Sequence, residues 1–181
     1  MRFGVLAMSA LAVLPLGADI RGCVCDAARP ETMEARECSL SRTALAQPPE
    51  PQFFIVKDVS PNKPNRWLAV PRFQKPGPQD LAGMTPAQRT AYWTLALARA
   101  RELWGDKAAV AVNSAGRRSQ CQMHIHIGKL MEGSENEHFM VVDGPADIPL
   151  SRDDDGIWVH PAGGKLHVHW GDTAPELLLE R

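Results

Sequence analysis

The sequence predicts an α+β fold, a mainly antiparallel sheet with one long helix and a C-terminal β-hairpin. Three observations predict it. Short apolar runs rich in β-branched and aromatic residues recur between turn formers. One stretch, 85–105, carries helical spacing together with signals for both helix ends. The 15 Pro and 14 Gly among 181 residues disfavour a helical bundle.

Residues 52–58 read as a strand and 67–71 as its returning partner, joined by a wide turn at 60–65 with two prolines. Thr85 is the predicted N-cap of the helix, Pro86 its first residue and Gln88 the partner in a capping box. Trp93, Ala96, Leu97, Ala100, Leu103 and Trp104 recur at helical spacing and are predicted to face a core, and Gly105 ends the helix. Strands follow at 108–112, 121–129 and 139–142, then a turn at 153–156. A terminal hairpin is predicted from 157–159 and 165–170, parted by Pro161-Ala162-Gly163-Gly164.

Four segments follow from this reading: 1–22 as a signal peptide or N-terminal extension, 23–50 as an irregular cysteine-containing lead-in, 51–145 as the main domain and 146–181 as a hairpin extension. Arg2 precedes an apolar run, 5–16, too short to span a bilayer, which reads as an export signal with Ala18 as a cleavage position. A periplasmic or extracellular location is therefore expected, membrane-anchored if Cys23 carries a lipid; a cytoplasmic chain is the alternative. The formal net charge of −1 provides no field for nucleic acid, so an anionic ligand must be held by local groups.

The cysteines are Cys23, Cys25, Cys38 and Cys121. Three readings of the first three stay open: a disulfide in an exported protein, part of a zinc site in a cytosolic one, or unpaired thiols.

The chemistry-bearing stretch is 119–128. Alternation along a strand puts Gln122, His124 and His126 on one face and Met123, Ile125 and Ile127 on the other. Two imidazoles side by side suit a phosphorus centre: one attacks as nucleophile and the other, as a donor, steadies phosphoryl oxygens. An H-x-H pair alone also fits an exposed strand or a metal site. Just upstream, Asn113, Gly116, Arg117, Arg118 and Ser119 form a loop able to offer amides, guanidinium groups and a hydroxyl to an anion, though Arg117 and Arg118 taken singly also read as a solvated pair. His160, His167 and His169 on the terminal hairpin are candidate ligands for zinc or another divalent ion, or a polar face over the sheet. Glu132, Glu135, Glu137 and His138 read as a solvated loop.

The pattern from Asn113 through Ser119-Gln120-Cys121-Gln122-Met123-His124-Ile125-His126-Ile127 resembles the histidine-triad motif, His-φ-His-φ-His-φ-φ with its preceding Asn and Ser. A second segment, 58–72, is similar to that family's nucleoside-binding hairpin, with Asp58, Pro61, Pro64 and Pro71 in place. The two motifs flank the capped helix in the family's order, and the resemblance covers residues 50–130.

The resemblance implies a nucleotidyl hydrolase or transferase needing no cofactor, acting on dinucleoside polyphosphates, phosphoramidates, nucleotide sugars or CDP-diacylglycerol. It makes His124 the nucleophile and His126 a binder of phosphoryl oxygen. Ser119 would contact the phosphate and leaving group, Asn113 would lie near the phosphates and Asp58 would bind ribose hydroxyls; a strand-end turn cap is the other reading of Asp58. Gln122 replaces the first histidine, where the family uses the backbone carbonyl to orient the nucleophile. Arg66 replaces a histidine common at the nucleoside pocket and favours a more anionic substrate or points to solvent. The family also forms homodimers through the helix and an adjacent strand. An exported member resembles, in location, the membrane-associated CDP-diacylglycerol pyrophosphatases. The competing reading is a non-catalytic nucleotide or metal binder.

Overall fold

The computed structural model describes residues 20–72, 79–151 and 155–181. The expected export signal at 1–19, and all but the last two residues of the expected 153–156 turn, lie outside the described residues.

Seven strands build one sheet in which every pairing is antiparallel. In chain order they are β1 (Phe53–Lys57), β2 (Trp67–Pro71), β3 (Ala108–Val112), β4 (Ile125–Lys129), β5 (Phe139–Val142), β6 (Ile157–Ala162) and β7 (Lys165–Trp170). Their order across the sheet is β1-β2-β4-β3-β6-β7-β5. The terminal hairpin is therefore not an appendage to a domain ending at residue 145. It lies inside the sheet, between β3 and β5, and joins the predicted extension to the main domain. Gly163 and Gly164 turn it at φ of 55° and 80°, backbone that a side chain would strain.

One helix, α2 (Pro86–Trp104), covers one face of the sheet. Thr85 accepts from the Gln88 amide at 3.2 Å, and Gln88 returns the bond to the Thr85 amide at 2.9 Å. This reciprocal pair satisfies amides that have no partner within the helix. Trp93, Ala96, Leu97 and Ala100 are buried against Ala69, Ile125, Ile127, Val110 and Val159. Leu103 departs from expectation and is 36% exposed. Trp104, beside it in the last turn, is half-buried. Tyr92 is fully buried; its hydroxyl donates to the Ala69 carbonyl at 2.6 Å and its ring stacks on Phe53.

The face opposite α2 carries the chemistry. Strand register aligns Val56, Leu68, His126, Ala111, Trp158, His169 and Phe139 in one row across all seven strands. Directly opposed residues share a face, so His126 and His169 stand on the same side, three strand spacings apart, about 14 Å.

Three segments cover this face. The lead-in is not irregular: it forms short 3-10 turns and a helix, α1 (Ser39–Leu45), whose Leu40 and Ala44 pack on Phe54, Leu68 and Val70. The C-terminal tail lays Leu179 on Ala109, Ala111 and Trp158. The hairpin imidazoles cover the far end themselves. Gly128 is where the tail comes closest: a Cβ there would lie 3.0 Å from both Arg66 Cδ and Leu179 Cβ.

The cysteines form two disulfides, Cys23–Cys121 and Cys25–Cys38. Cys121 is thus a partner that the zinc reading of Cys23, Cys25 and Cys38 left out, and oxidised sulfurs do not serve as thiolate ligands. Cys23 has no thiol left for a lipid. Cys23, Cys25 and Cys121, not Cys38, are the trio with sulfurs within 4.8 Å of one another. No described helix is long and apolar enough to cross a membrane.

Candidate active site

Strand β4 starts at Ile125, later than the predicted 121, so His124 sits on the bent segment leading into it. It still reaches the face opposite α2, beside His126. The ring centroids are 4.7 Å apart, edge to face, and the two residues are only 3% and 5% exposed.

His124 Nδ1 lies 2.9 Å from the Gln122 carbonyl oxygen. A carbonyl only accepts, so Nδ1 carries the proton and Nε2 keeps its lone pair. The backbone of residue 122 thereby orients the ring whatever side chain it bears. The Gln122 side chain turns away: it donates to the Pro71 carbonyl at 2.7 Å and accepts from Gln79 at 3.1 Å. It locks the approach to β4 onto β2 and does not enter the site.

The His126 ring nitrogens make no hydrogen bond among the described residues. Its nearest charged neighbour is Glu176, whose Oε2 lies 3.5 Å from His126 Nδ1. Glu176 comes from the C-terminal tail, and sequence reasoning missed it. Its Oε1 accepts from Asn113 Nδ2 at 3.0 Å, its amide donates to Asn113 Oδ1 at 3.1 Å, and its Oε2 pairs with Lys63. Lys63 was missed too, although it lies within the matched hairpin. Asn113, expected near the phosphates, is held by this carboxylate beside the imidazoles.

Electrostatics keep both rings neutral. Burial pushes His124 down to about 4, against the pull of the Gln122 carbonyl. Burial and then the neighbouring His124 push His126 well below the usual histidine range. Burial alone would raise the Glu176 carboxyl, but His126 once it protonates at low pH, together with Lys63 and Asn113, holds it down at about 2. Neutral His124 is the form able to attack.

A stability consequence follows. The unfolded chain takes up a proton at His124 near pH 6.5, whereas the folded chain resists until about 4. The folded state binds fewer protons in that window, so its stability falls as pH falls from 6.5 towards 4. His124 alone is expected to remove roughly 2–3 kcal/mol between pH 7 and 4.5. The Glu176 interactions are lost only as pH falls from 4.5 through about 2, so they do not contribute to this loss. Urea unfolding at the two pH values checks it; equal stability would contradict the buried neutral imidazole.

The remaining predicted residues divide. Asp58 is half-buried at the end of β1; its Oδ1 accepts from the Ser60 amide at 2.9 Å, as a turn cap does. Its charge nevertheless acts on both His124 and Arg66. Ser119 and Arg117 are exposed on the preceding loop. Two arginines depart from expectation. Arg66 is 1% exposed and does not point to solvent: its Nε and Nη2 donate to the tail carbonyls of Glu180 at 2.6 Å, Glu176 at 2.7 Å and Leu179, while its buried Nη1 has no hydrogen-bond partner among the described residues. Arg118 is buried too, donating to the Gln79 carbonyl and packing on Met123 Sδ at 3.3 Å. Both are structural clamps.

At the other end of the row, His160, His167 and His169 converge with Glu135, so Glu135 is not simply solvated. Surface clefts of about 420 and 390 Å³ open elsewhere, the first bordered by Glu135, His160 and Lys129, the second by Asn113, Arg118 and Asp155; His124 and His126 line neither.

A scan against protein-family profiles matches none of them, and a search of curated proteins finds no significant match.

Proposed function

We propose that the chain is an atypical histidine-triad-type enzyme, a nucleotidyl hydrolase or transferase working through covalent His124. One observation carries the reading: a buried, neutral imidazole is held through Nδ1 by a backbone carbonyl, which leaves its Nε2 lone pair as the nucleophile beside a second imidazole. The oriented ring matches the requirement for an activated nucleophile.

Nε2 attacks phosphorus, the bond from phosphorus to the leaving oxygen or nitrogen breaks, and the leaving group departs with the electron pair. Water or an acceptor hydroxyl then attacks phosphorus, its proton passing through solvent to the departed leaving group, and the P–N bond breaks with its electron pair returning to Nε2 of neutral His124. His126, whose buried ring nitrogens have no hydrogen-bond partner among the described residues, offers a ring N–H to the phosphoryl oxygens, and Lys63 and Asn113 lie where further negative charge would be met. Bound substrate takes over from Glu176 as their anionic partner. Asp58 serves the ribose hydroxyls, and Ser119 and Arg117 the outer phosphate or leaving group.

The substrate class is a nucleoside phosphoanhydride, phosphoramidate or phosphodiester. The two disulfides suit an oxidising compartment and support the exported location; association with a membrane through the N-terminus and a homodimer through α2 belong to the same proposal. Zinc enters only as a second group, on His160, His167 and His169, away from the reacting rings.

A second reading, a non-catalytic nucleotide or metal binder, has one observation in its favour: Glu176 already satisfies Asn113 and Lys63. The test is a substrate panel of nucleotide anhydrides and phosphoramidates, followed by product analysis. The enzyme reading expects release of a nucleoside monophosphate. Calorimetric binding of AMP or CMP with no turnover of any member would replace it with the second reading.

A further inference from the structure

We propose that Glu135, His160, His167 and His169 form a zinc site that fastens the β4–β5 connection onto the β6–β7 hairpin. The site is independent of the His124 chemistry.

Position comes first. His160 and His167 are directly opposed across the hairpin, and His169 follows His167 by two residues on the same face. Glu135 arrives from the connection between β4 and β5. One donor atom from each of the four lies within 4.8 Å of all the others. Glu135 Oε1 is 2.8 Å from His167 Nδ1 and 3.3 Å from His160 Nε2, and His160 Nε2 is 3.3 Å from His169 Nε2. Nitrogen ligands about 2.05 Å from a tetrahedral zinc ion stand about 3.3 Å from one another. Two of these pairs, Glu135–His160 and His160–His169, stand at that spacing already, and His167 is held against Glu135 at 2.8 Å.

Protonation is the second argument. His160 Nδ1 faces the Pro161 carbonyl at 3.2 Å, and His169 Nδ1 faces the Asn136 side-chain oxygen at 3.4 Å. Both oxygens accept, so each Nδ1 carries the ring proton and each Nε2 bears a lone pair. The two lone pairs point at each other across 3.3 Å with a carboxylate oxygen beside them. A cation between such lone pairs and a carboxylate oxygen is stabilised by all three. An imidazole held through its outer nitrogen by a carbonyl or amide oxygen is also how metal-binding histidines are oriented.

The rings are fixed as well. Trp158 stacks on His169 at 3.6 Å and 8°, and Phe139 on His167 at 4.1 Å and 13°. Preorganisation lowers the cost of gathering the ligands. Three imidazoles and one carboxylate in a four-donor cage suit Zn²⁺ better than Mg²⁺ or Ca²⁺, which prefer more oxygens.

The test uses the full chain without a polyhistidine tag, stripped with chelator and titrated with ZnCl₂ by calorimetry, with Co²⁺ absorption to report coordination geometry. One Zn²⁺ per chain and four-coordinate Co²⁺ bands are expected. Glu135 is exposed, so Glu135→Gln leaves the fold intact while weakening zinc binding at least about 100-fold, more than the loss of an outer partner. His138→Ala, on the same connection, leaves the affinity unchanged. His160→Ala/His169→Ala abolishes binding, with folding checked by circular dichroism. Zinc binding within tenfold of wild type in both Glu135→Gln and the double variant overturns the proposal, as does absence of zinc binding by the folded wild type.

Discussion

Replacing His124 with Asn is expected to lower turnover of any accepted nucleotide substrate by about 10⁴-fold or more, the scale of losing a covalent nucleophile. Asn retains a donor for the Gln122 carbonyl, so it keeps the local hydrogen bond and removes only the attacking nitrogen. The variant should therefore unfold at a urea concentration close to wild type. His126→Gln is expected to cost less, about 10²–10³-fold, because it removes a donor to the phosphoryl oxygens and leaves the nucleophile in place. Initial rates for both variants check the order. Turnover within tenfold of wild type for His124→Asn would exclude covalent catalysis at this position.

Removing the Cys23–Cys121 disulfide is expected to have the largest effect on stability. It closes a loop of 98 residues, for which the chain-entropy account gives about 4–5 kcal/mol, against about 3 kcal/mol for the 13-residue Cys25–Cys38 loop. Cys23→Ser/Cys121→Ser should thus melt about 10 °C or more below wild type, and below Cys25→Ser/Cys38→Ser. The location adds a functional cost. Cys121 directly precedes Gln122, whose carbonyl holds His124, and its own amide donates to the Glu37 carbonyl at 2.9 Å. The Gln120 side chain accepts from Ser39 Oγ at 2.9 Å and from the Leu40 amide at 3.0 Å. The lead-in therefore braces the loop that aims the nucleophile. An unchanged melting temperature in the first variant would remove the disulfide from this account.

What could be read from the sequence was local. The α2 start depends on Thr85, Pro86 and Gln88, three residues within four positions, and strands such as 67–71 and 108–112 declare themselves by composition. The pairing of His124 with His126 needed only alternation. What stayed hidden was long-range. Arg66 looked like a pocket residue because its partners are carbonyls more than 100 positions away, which no local pattern marks. Glu176 is 63 positions from Asn113 and 50 from His126 and sits in a tail without motif. Glu135 was one of several acidic residues in a polar connection, and only the strand order brings it to His160 and His167. The α1 helix is short, and its burial depends on a sheet face whose position was not known.

The central claim is a phosphorus–nitrogen bond at His124, and an alkaline quench during turnover, followed by peptide mass spectrometry, measures it most directly. The account predicts a nucleoside monophosphate adduct on the peptide bearing His124, located to that ring and absent from His124→Asn. An active protein that yields no adduct under rapid quench, or that carries it on another residue, would contradict the account.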